Sequence, residues 1–137
     1  MTHRFPVTVY YEDTDMAGIV YYANYLRYIE RARSEIVEEM GLDQNAMRAE
    51  GIVFAVTRVE ADYLSSARLG DRLTVVTTHE PKGAVRWAFD QQVQRGDTPI
   101  FRALVTAVCM NTDGRPVRLP AELRQKLRDQ TGNLTPK

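Results

Sequence analysis

One sustained helical stripe, set among segments that otherwise alternate, most limits how this chain can fold. From about Ala23 to Met40, apolar residues recur at three- and four-residue steps: Tyr25, Leu26, Ile29, Ala32, Ile36, Val37 and Met40. That spacing makes a helix with one buried face. Asn24 is suited to cap its start, and Gly41 to end it. Arg31 with Glu35, and Arg27 with Glu30, stand at pairing distances on the polar side. Asp43 caps a short second helix that runs to Glu50.

Nearly everything else reads as strand. Phe5–Tyr11 comes before the helix, with Val7, Val9 and Tyr11 on one face. Val53–Tyr63 comes after it, placing Val53, Ala55, Thr57, Val59, Ala61 and Tyr63 on one face. Arg72–Glu80 turns Leu73 and Val75 inward, and Val85–Arg95 aligns Val85, Trp87, Phe89 and Val93. Ile100–Met110 is apolar on both faces, as in a strand covered on each side. Turn residues fall at Ser65–Asp71, Pro81–Ala84, Gly96-Asp97 and Asn111–Gly114. Pro120–Asp129 reads as a terminal helix, and the tail from about residue 130 is expected to fray. One strand, a long helix and four strands joined by hairpin-like turns predict a single α+β domain, 1–137. Its antiparallel sheet needs the helix laid across one face.

A chain of 137 residues fits one domain whose modest core gains from oligomerisation. Lys plus Arg equals Asp plus Glu at 18 each, so bulk charge gives no support for a nucleic-acid partner. No stretch approaches 18 apolar residues, and the N-terminus has no apolar core of a signal peptide. The expectation is no membrane span and a cytoplasmic location. The single cysteine, Cys109, sits in an apolar run and reads as a small buried hydrophobe rather than a nucleophile. His3 and His79 have no metal-ligand spacing with it, and His79 reads as a partly buried or surface strand residue. Phosphate-binding glycine motifs and the G-x-S-x-G elbow are missing.

The chemistry concentrates in Tyr10–Arg33, YYEDTDMAGIVYYANYLRYIERAR. Here an acidic turn containing Gly18 leads straight into the helix. Glu12 and Asp13 read as acids of a solvated loop that cap neighbouring backbone. Asp15 differs because the helix start beyond it offers free N–H groups and a positive dipole end. A carboxylate there can attack or activate water while those N–H groups polarise a carbonyl. Of Tyr21, Tyr22, Tyr25 and Tyr28, at least two read as core or interface aromatics.

The run EDTDMAGIVYYANYLRYIERAR closely resembles the motif of 4-hydroxybenzoyl-CoA thioesterase-like proteins with the hotdog fold. More narrowly, it is similar to the acyl-CoA thioesterase branch associated with the Tol-Pal system of bacteria. The stretch DYLSSARLGDRLTV resembles the family's strand–turn–strand segment, and the likeness spans nearly the whole chain. It implies about five antiparallel strands wrapped around one long helix, and subunits paired through their sheet edges. It implies active sites at the dimer interface, frequent tetramers, a coenzyme A thioester as substrate, and no metal or cofactor. The catalytic aspartate falls on Asp15 and the carbonyl-polarising backbone N–H on Tyr22. Many members of the Tol-Pal branch carry histidine where this chain has Tyr22. Tyrosine there is similar to the 4-hydroxybenzoyl-CoA thioesterases, which leaves short aliphatic and aromatic acyl groups both open.

Around that site, Lys82 and Arg86 flank the Gly83 turn and are expected to meet coenzyme A phosphates. Arg58 and Arg68 are the other options, and ordinary surface charge accounts for each equally well. Phe54 and Val56 are expected to line an acyl pocket, although core packing explains them as readily. Some hotdog thioesterases use a helical glutamate. Glu30 and Glu35 occupy that position but have arginines placed to pair with them. Arg115–Lys137 carries six basic residues against two acids, suited to phosphates, to an acyl-carrier protein or simply to solvent. Two other functions compete with hydrolysis. One is a non-catalytic hotdog module that binds acyl-CoA or a protein partner. The other is a hotdog dehydratase, which requires a histidine–acid pair, and neither histidine lies near the acidic turn in sequence.

Overall fold

The computed structural model describes residues 2–134, with side chains described through residue 130. Strand β1 is His3–Thr8 and helix α1 Asn24–Glu39. They are followed by α2 (Gln44–Ala49), β2 (Ile52–Tyr63), β3 (Arg72–Lys82), β4 (Arg86–Arg95), β5 (Thr98–Asn111) and α3 (Ala121–Leu134). All strand pairings are antiparallel, in the order β1-β3-β4-β5-β2. The result is the α+β hotdog arrangement, with α1 on one face of a five-stranded sheet.

The helical stripe buries Tyr25, Tyr28, Ile29, Ala32, Ile36 and Val37 into one core with Val75, Phe89, Val93, Phe101 and Val105 of the sheet. Each large apolar side chain so placed contributes roughly 1.5–3 kcal/mol. Leu26, expected on the stripe, is 38% exposed, and Tyr28 takes the buried place. Asn24 does not cap the helix. It is the first helical residue, and its side-chain amide donates instead to the Asp13 carbonyl at 2.9 Å. Gly41 does end the helix, in the left-handed conformation with φ +76°. Asp43 caps α2, accepting from Asn45 and Ala46 N–H.

β1 stops at Thr8, short of the expected Tyr11. The Asp13 carboxylate takes the Tyr10 N–H at 2.9 Å and closes a single 3₁₀ turn over Tyr11–Asp13, which leaves Tyr11 82% exposed. β3 runs on through Pro81 to Lys82, so the hairpin to β4 is tighter than Pro81–Ala84. β5 is not covered on both sides. Its outer-facing Leu104 is 51% exposed, whereas Val108 is buried near the crossing segment where Val117 N–H bonds the Cys109 carbonyl. α3 continues beyond Asp129 to Leu134, and residues 135–137 of the expected frayed tail lie outside the described residues.

β2 departs most from simple alternation. Phe54 and Val56 pair with Cys109 and Ala107, whose side chains face α1. A bulge at Thr57 then shifts the register, so that Val59, Ala61 and Tyr63 take over that face. The single odd-numbered face expected from the sequence is therefore right only beyond Thr57. β2 is also an edge strand of the sheet, with Val56, Val59 and Tyr63 substantially exposed.

Candidate functional site

The acidic turn is a small closed hairpin. Thr14 bridges Val20, and Asp15 N–H donates to the Ile19 carbonyl at 2.9 Å. Gly18 N–H returns to the Asp15 carbonyl at 3.0 Å, which needs the φ of +78° that glycine adopts without strain. Asp15 Oδ1 accepts from Ala17 N–H at 2.8 Å. Its Oδ2 has no hydrogen-bond partner among the described residues, and the side chain is exposed.

The backbone beyond the turn is partly engaged. Val20 N–H donates to Ala67, Tyr21 N–H to Asp13, and Asn24 N–H to Tyr21. Among the described residues, neither Tyr22 N–H nor Ala23 N–H takes a backbone acceptor. A free donor at a helix start is the group that can receive a carbonyl oxygen. The Tyr22 carbonyl accepts from the Tyr63 hydroxyl at 3.0 Å, and the Tyr22 ring packs against Tyr21 and Tyr63. Tyr25 and Tyr28 are core residues, while Tyr21 and Tyr22 are exposed.

Asp13 was expected in solvent and is buried instead. Its carboxylate holds Tyr10 N–H, and its carbonyl collects both Tyr21 N–H and the Asn24 side chain. It is the structural acid of the turn, whereas Glu12 and Asp15 both face water, and Asp15 is the one that leads into the helix start. Burial, with the Asp13 carboxylate beside it, raises the Tyr28 phenol above its ordinary range. That hydroxyl makes no hydrogen bond of normal geometry among the described residues.

A cavity of about 270 Å³ lies between α1 and the sheet. Phe54 and Val56 line it, over a floor of Trp87, Phe89 and Ala107. Its helical wall contains Glu30, Arg33 and Val37. Nothing in the spacing of Arg33 separates it from the solvated arginines of the same helix. Asp15 does not line this cavity. Tyr63 marks the Tyr22 end of β2 and Phe54–Val56 the cavity end, roughly 20–30 Å apart along a strand.

Lys82 and Arg86 are register partners across the β3–β4 hairpin, and Arg86 also pairs with outward-facing Val108. Both therefore lie on the sheet face opposite α1 and the Phe54 cavity. Lys82 pairs with Glu80 at 3.3 Å, and Arg58 lines the same outer groove. Arg68 is the basic residue brought to the acidic turn, through its bridge to Ile19.

The expected Arg31–Glu35 pair does not form. Arg31 lies over the Tyr28 ring at 5.9 Å, and Glu35 meets His3 Nε2 at 2.9 Å, with Glu39 at 3.0 Å on the same atom. These three are the described residues whose ligand atoms converge as a metal site's would, and they sit toward the C-terminal half of α1, away from Asp15. His79 accepts from Trp87 Nε1 at 3.1 Å, and burial lowers its pKa to about 4, so it is neutral near pH 7. Cys109 is fully buried, and burial raises its thiol pKa. Several basic residues of the C-terminal segment are occupied locally: Lys126 donates to the Met40 carbonyl and Arg124 to the Leu119 carbonyl. No described helix is long and apolar enough to cross a membrane.

Comparison with known proteins agrees with this architecture. The family profile described as the thioesterase-like superfamily matches residues 9–127. The acyl-CoA thioester hydrolase YbgC of Escherichia coli is 34% identical over 128 residues, covering 89% of this chain and 96% of that protein. The acyl-CoA thioesterase YbgC of Haemophilus influenzae is 38% identical over 123 residues, covering 88% and 90%. Among solved structures, a 1,4-dihydroxy-2-naphthoyl-CoA thioesterase from Synechocystis superposes with a TM-score of 0.89 at 24% identity, over 96% of this chain and 98% of that one. That last likeness speaks for the fold.

Proposed function

This chain belongs to the thioesterase-like superfamily, and we propose that it hydrolyses acyl-coenzyme A thioesters to the free acid and coenzyme A. The observation that carries the reading is the free Asp15 oxygen, seven residues before an unengaged Tyr22 N–H at the start of α1. In the proposed reaction the thioester oxygen accepts from Tyr22 N–H, which stabilises the negative charge that develops there. Asp15 either attacks the carbonyl or takes a proton from the attacking water. Attack expels the coenzyme A thiolate and leaves a mixed anhydride, which water then opens. The general-base route gives the same products without the anhydride.

The active unit is proposed to be a dimer formed through β2. Its long edge bears unpaired backbone groups and exposed Val56, Val59 and Tyr63, a surface that natural proteins seldom leave bare. Antiparallel pairing of two β2 strands about their middle sets the Tyr22–Tyr63 end of one subunit beside the Phe54–Val56 end of its partner. That arrangement joins Asp15 to an acyl cavity across the interface. Arg68 beside the acidic turn, and Lys82 and Arg86 on the outer face, are the candidate partners for coenzyme A phosphates. A cytoplasmic tetramer built from two such dimers, and an acyl-carrier protein as alternative acyl donor, complete the proposal.

The test is free-thiol release from a panel of aliphatic and aromatic acyl-CoA thioesters and one acyl-carrier-protein thioester. Release from at least one is expected. Tight coenzyme A binding without release from any of them would identify a binding module instead, the reading that tyrosine in place of histidine at position 22 keeps open.

A further inference from the structure

Among the described residues, Arg33 forms no ion pair. Its guanidinium lines the cavity between α1 and the sheet, half-buried, and among the described residues no carboxylate oxygen lies within 4.0 Å of it. An arginine offers five N–H donors in a planar fork. Only Nη1 is engaged, donating to Gln91 Oε1 at 2.9 Å.

Gln91 is built to hold it there. Its side chain is fully buried, and its amide nitrogen donates to the Ile29 carbonyl at 3.0 Å and to Thr77 Oγ1 at 3.1 Å. With both amide hydrogens committed, the amide oxygen faces Arg33. On another side the guanidinium carbon stands 6.0 Å from the centre of the Phe89 ring. A partly dehydrated cation with most of its donors idle is costly unless something pairs with it. Burial lowers the Arg33 pKa, the sign of that cost, with the nearby charge of Glu30 acting the other way.

We propose that Arg33 is the specificity-determining residue of the acyl pocket, selecting acyl groups that end in a carboxylate, as in half-thioesters of short dicarboxylic acids. The inference rests on the reading of the chain as an acyl-CoA thioesterase. A carboxylate matches the guanidinium fork in shape and charge, as no alkyl terminus does. Phe54, Val56 and Trp87 supply the apolar walls for the carbons between the thioester and that terminus. The cavity, about 270 Å³, favours a short tail. Glu30 lines the same cavity but is exposed, so water screens its repulsion of the incoming anion.

The experiment compares kcat/KM for succinyl-CoA and butyryl-CoA, which have the same carbon count and differ at the far end. The wild-type protein is expected to prefer succinyl-CoA by roughly tenfold or more. Arg33→Met should abolish that preference, Arg33→Lys should keep part of it, and Glu30→Gln should increase it. Hydrolysis of both thioesters with a ratio unchanged in Arg33→Met, or a wild-type preference for butyryl-CoA, overturns the inference alone. Hydrolysis of neither, nor of any other acyl-CoA, overturns the thioesterase reading and the inference with it. Because the wild-type ratio and the Glu30→Gln variant do not depend on Arg33→Met folding, the test decides even if that variant is lost.

Discussion

The Tyr63 hydroxyl, on the last residue of β2, donates to the Tyr22 carbonyl at 3.0 Å, tying the end of the edge strand to the segment two residues before α1. The tie spans the two elements that the proposed dimer sets against the active site. Its loss frees the Tyr22 carbonyl to turn and so loosens the backbone meant to receive the thioester. Tyr63→Phe keeps the ring contacts with Tyr22, Tyr25 and Phe101 and removes one hydrogen bond, at a cost of about 1 kcal/mol. Steady-state kinetics should show kcat lower by about three- to tenfold, with near-wild-type secondary structure by circular dichroism. An unchanged kcat would mean that Tyr22 needs no such support.

Two aspartates two residues apart should respond in opposite ways. Asp15→Asn retains the oxygen that accepts from Ala17 N–H, so stability should stay within about 0.5 kcal/mol of wild type while turnover falls by roughly a hundredfold or more. Asp13→Ala strips the buried acceptor of Tyr10 N–H and should cost about 1–3 kcal/mol, read as a lower denaturation midpoint. Single-turnover reaction in heavy-oxygen water then separates the two proposed routes, since label enters the Asp15 carboxylate only if Asp15 attacks. Full activity in Asp15→Asn would move the site elsewhere.

The contrast between these two acids shows what the sequence reveals and what it hides. The α1 stripe and the strand runs are local patterns, and they lie near where their spacing predicts, with the ends of β1 and β3 and the place of Leu26 as the exceptions. The burial of Asp13 depends on which backbone groups the turn brings round to it, which no spacing encodes. The Thr57 bulge is hidden because Val53–Tyr63 offers apolar residues in either register, and only pairing with β5 selects between them. Helix spacing pairs Glu35 with Arg31, but β1 delivers His3 to it from 32 positions away. The cavity wall at Arg33 likewise exists only once Gln91 of β4 lies beneath α1.

Acid should weaken the fold through His79. Burial holds its pKa near 4 in the folded chain, against an unfolded value of about 6.5. The unfolded chain therefore binds more protons between those two values, and stability falls as pH drops through that window. The full contribution is present above about pH 6.5, and the loss reaches at most about 3 kcal/mol below pH 4. His79→Phe places an ordinary aromatic beside Trp87 and Phe89 and removes the titration, at the expense of the bond from Trp87 Nε1. Urea unfolding at pH 7, 5.5 and 4.5 should show a shallower decline in the variant than in wild type. Parallel declines would assign the acid sensitivity to other groups.

The edge of β2 carries the last prediction. Val59 lies just past the bulge, near the middle of the strand, facing the α1 side yet 42% exposed. A side chain that is already half in water tolerates a charge in the isolated subunit, whereas two lysines brought together across a two-fold would repel. Val59→Lys should therefore leave the circular dichroism spectrum unchanged while converting the assembly to monomers, measured as mass by light scattering after gel filtration. Because the proposed site takes Asp15 from one subunit and the Phe54 cavity from the other, thiol release should disappear along with the dimer. A variant that stays associated would place the subunit interface away from β2, and a monomer with full activity would place the whole site within one chain.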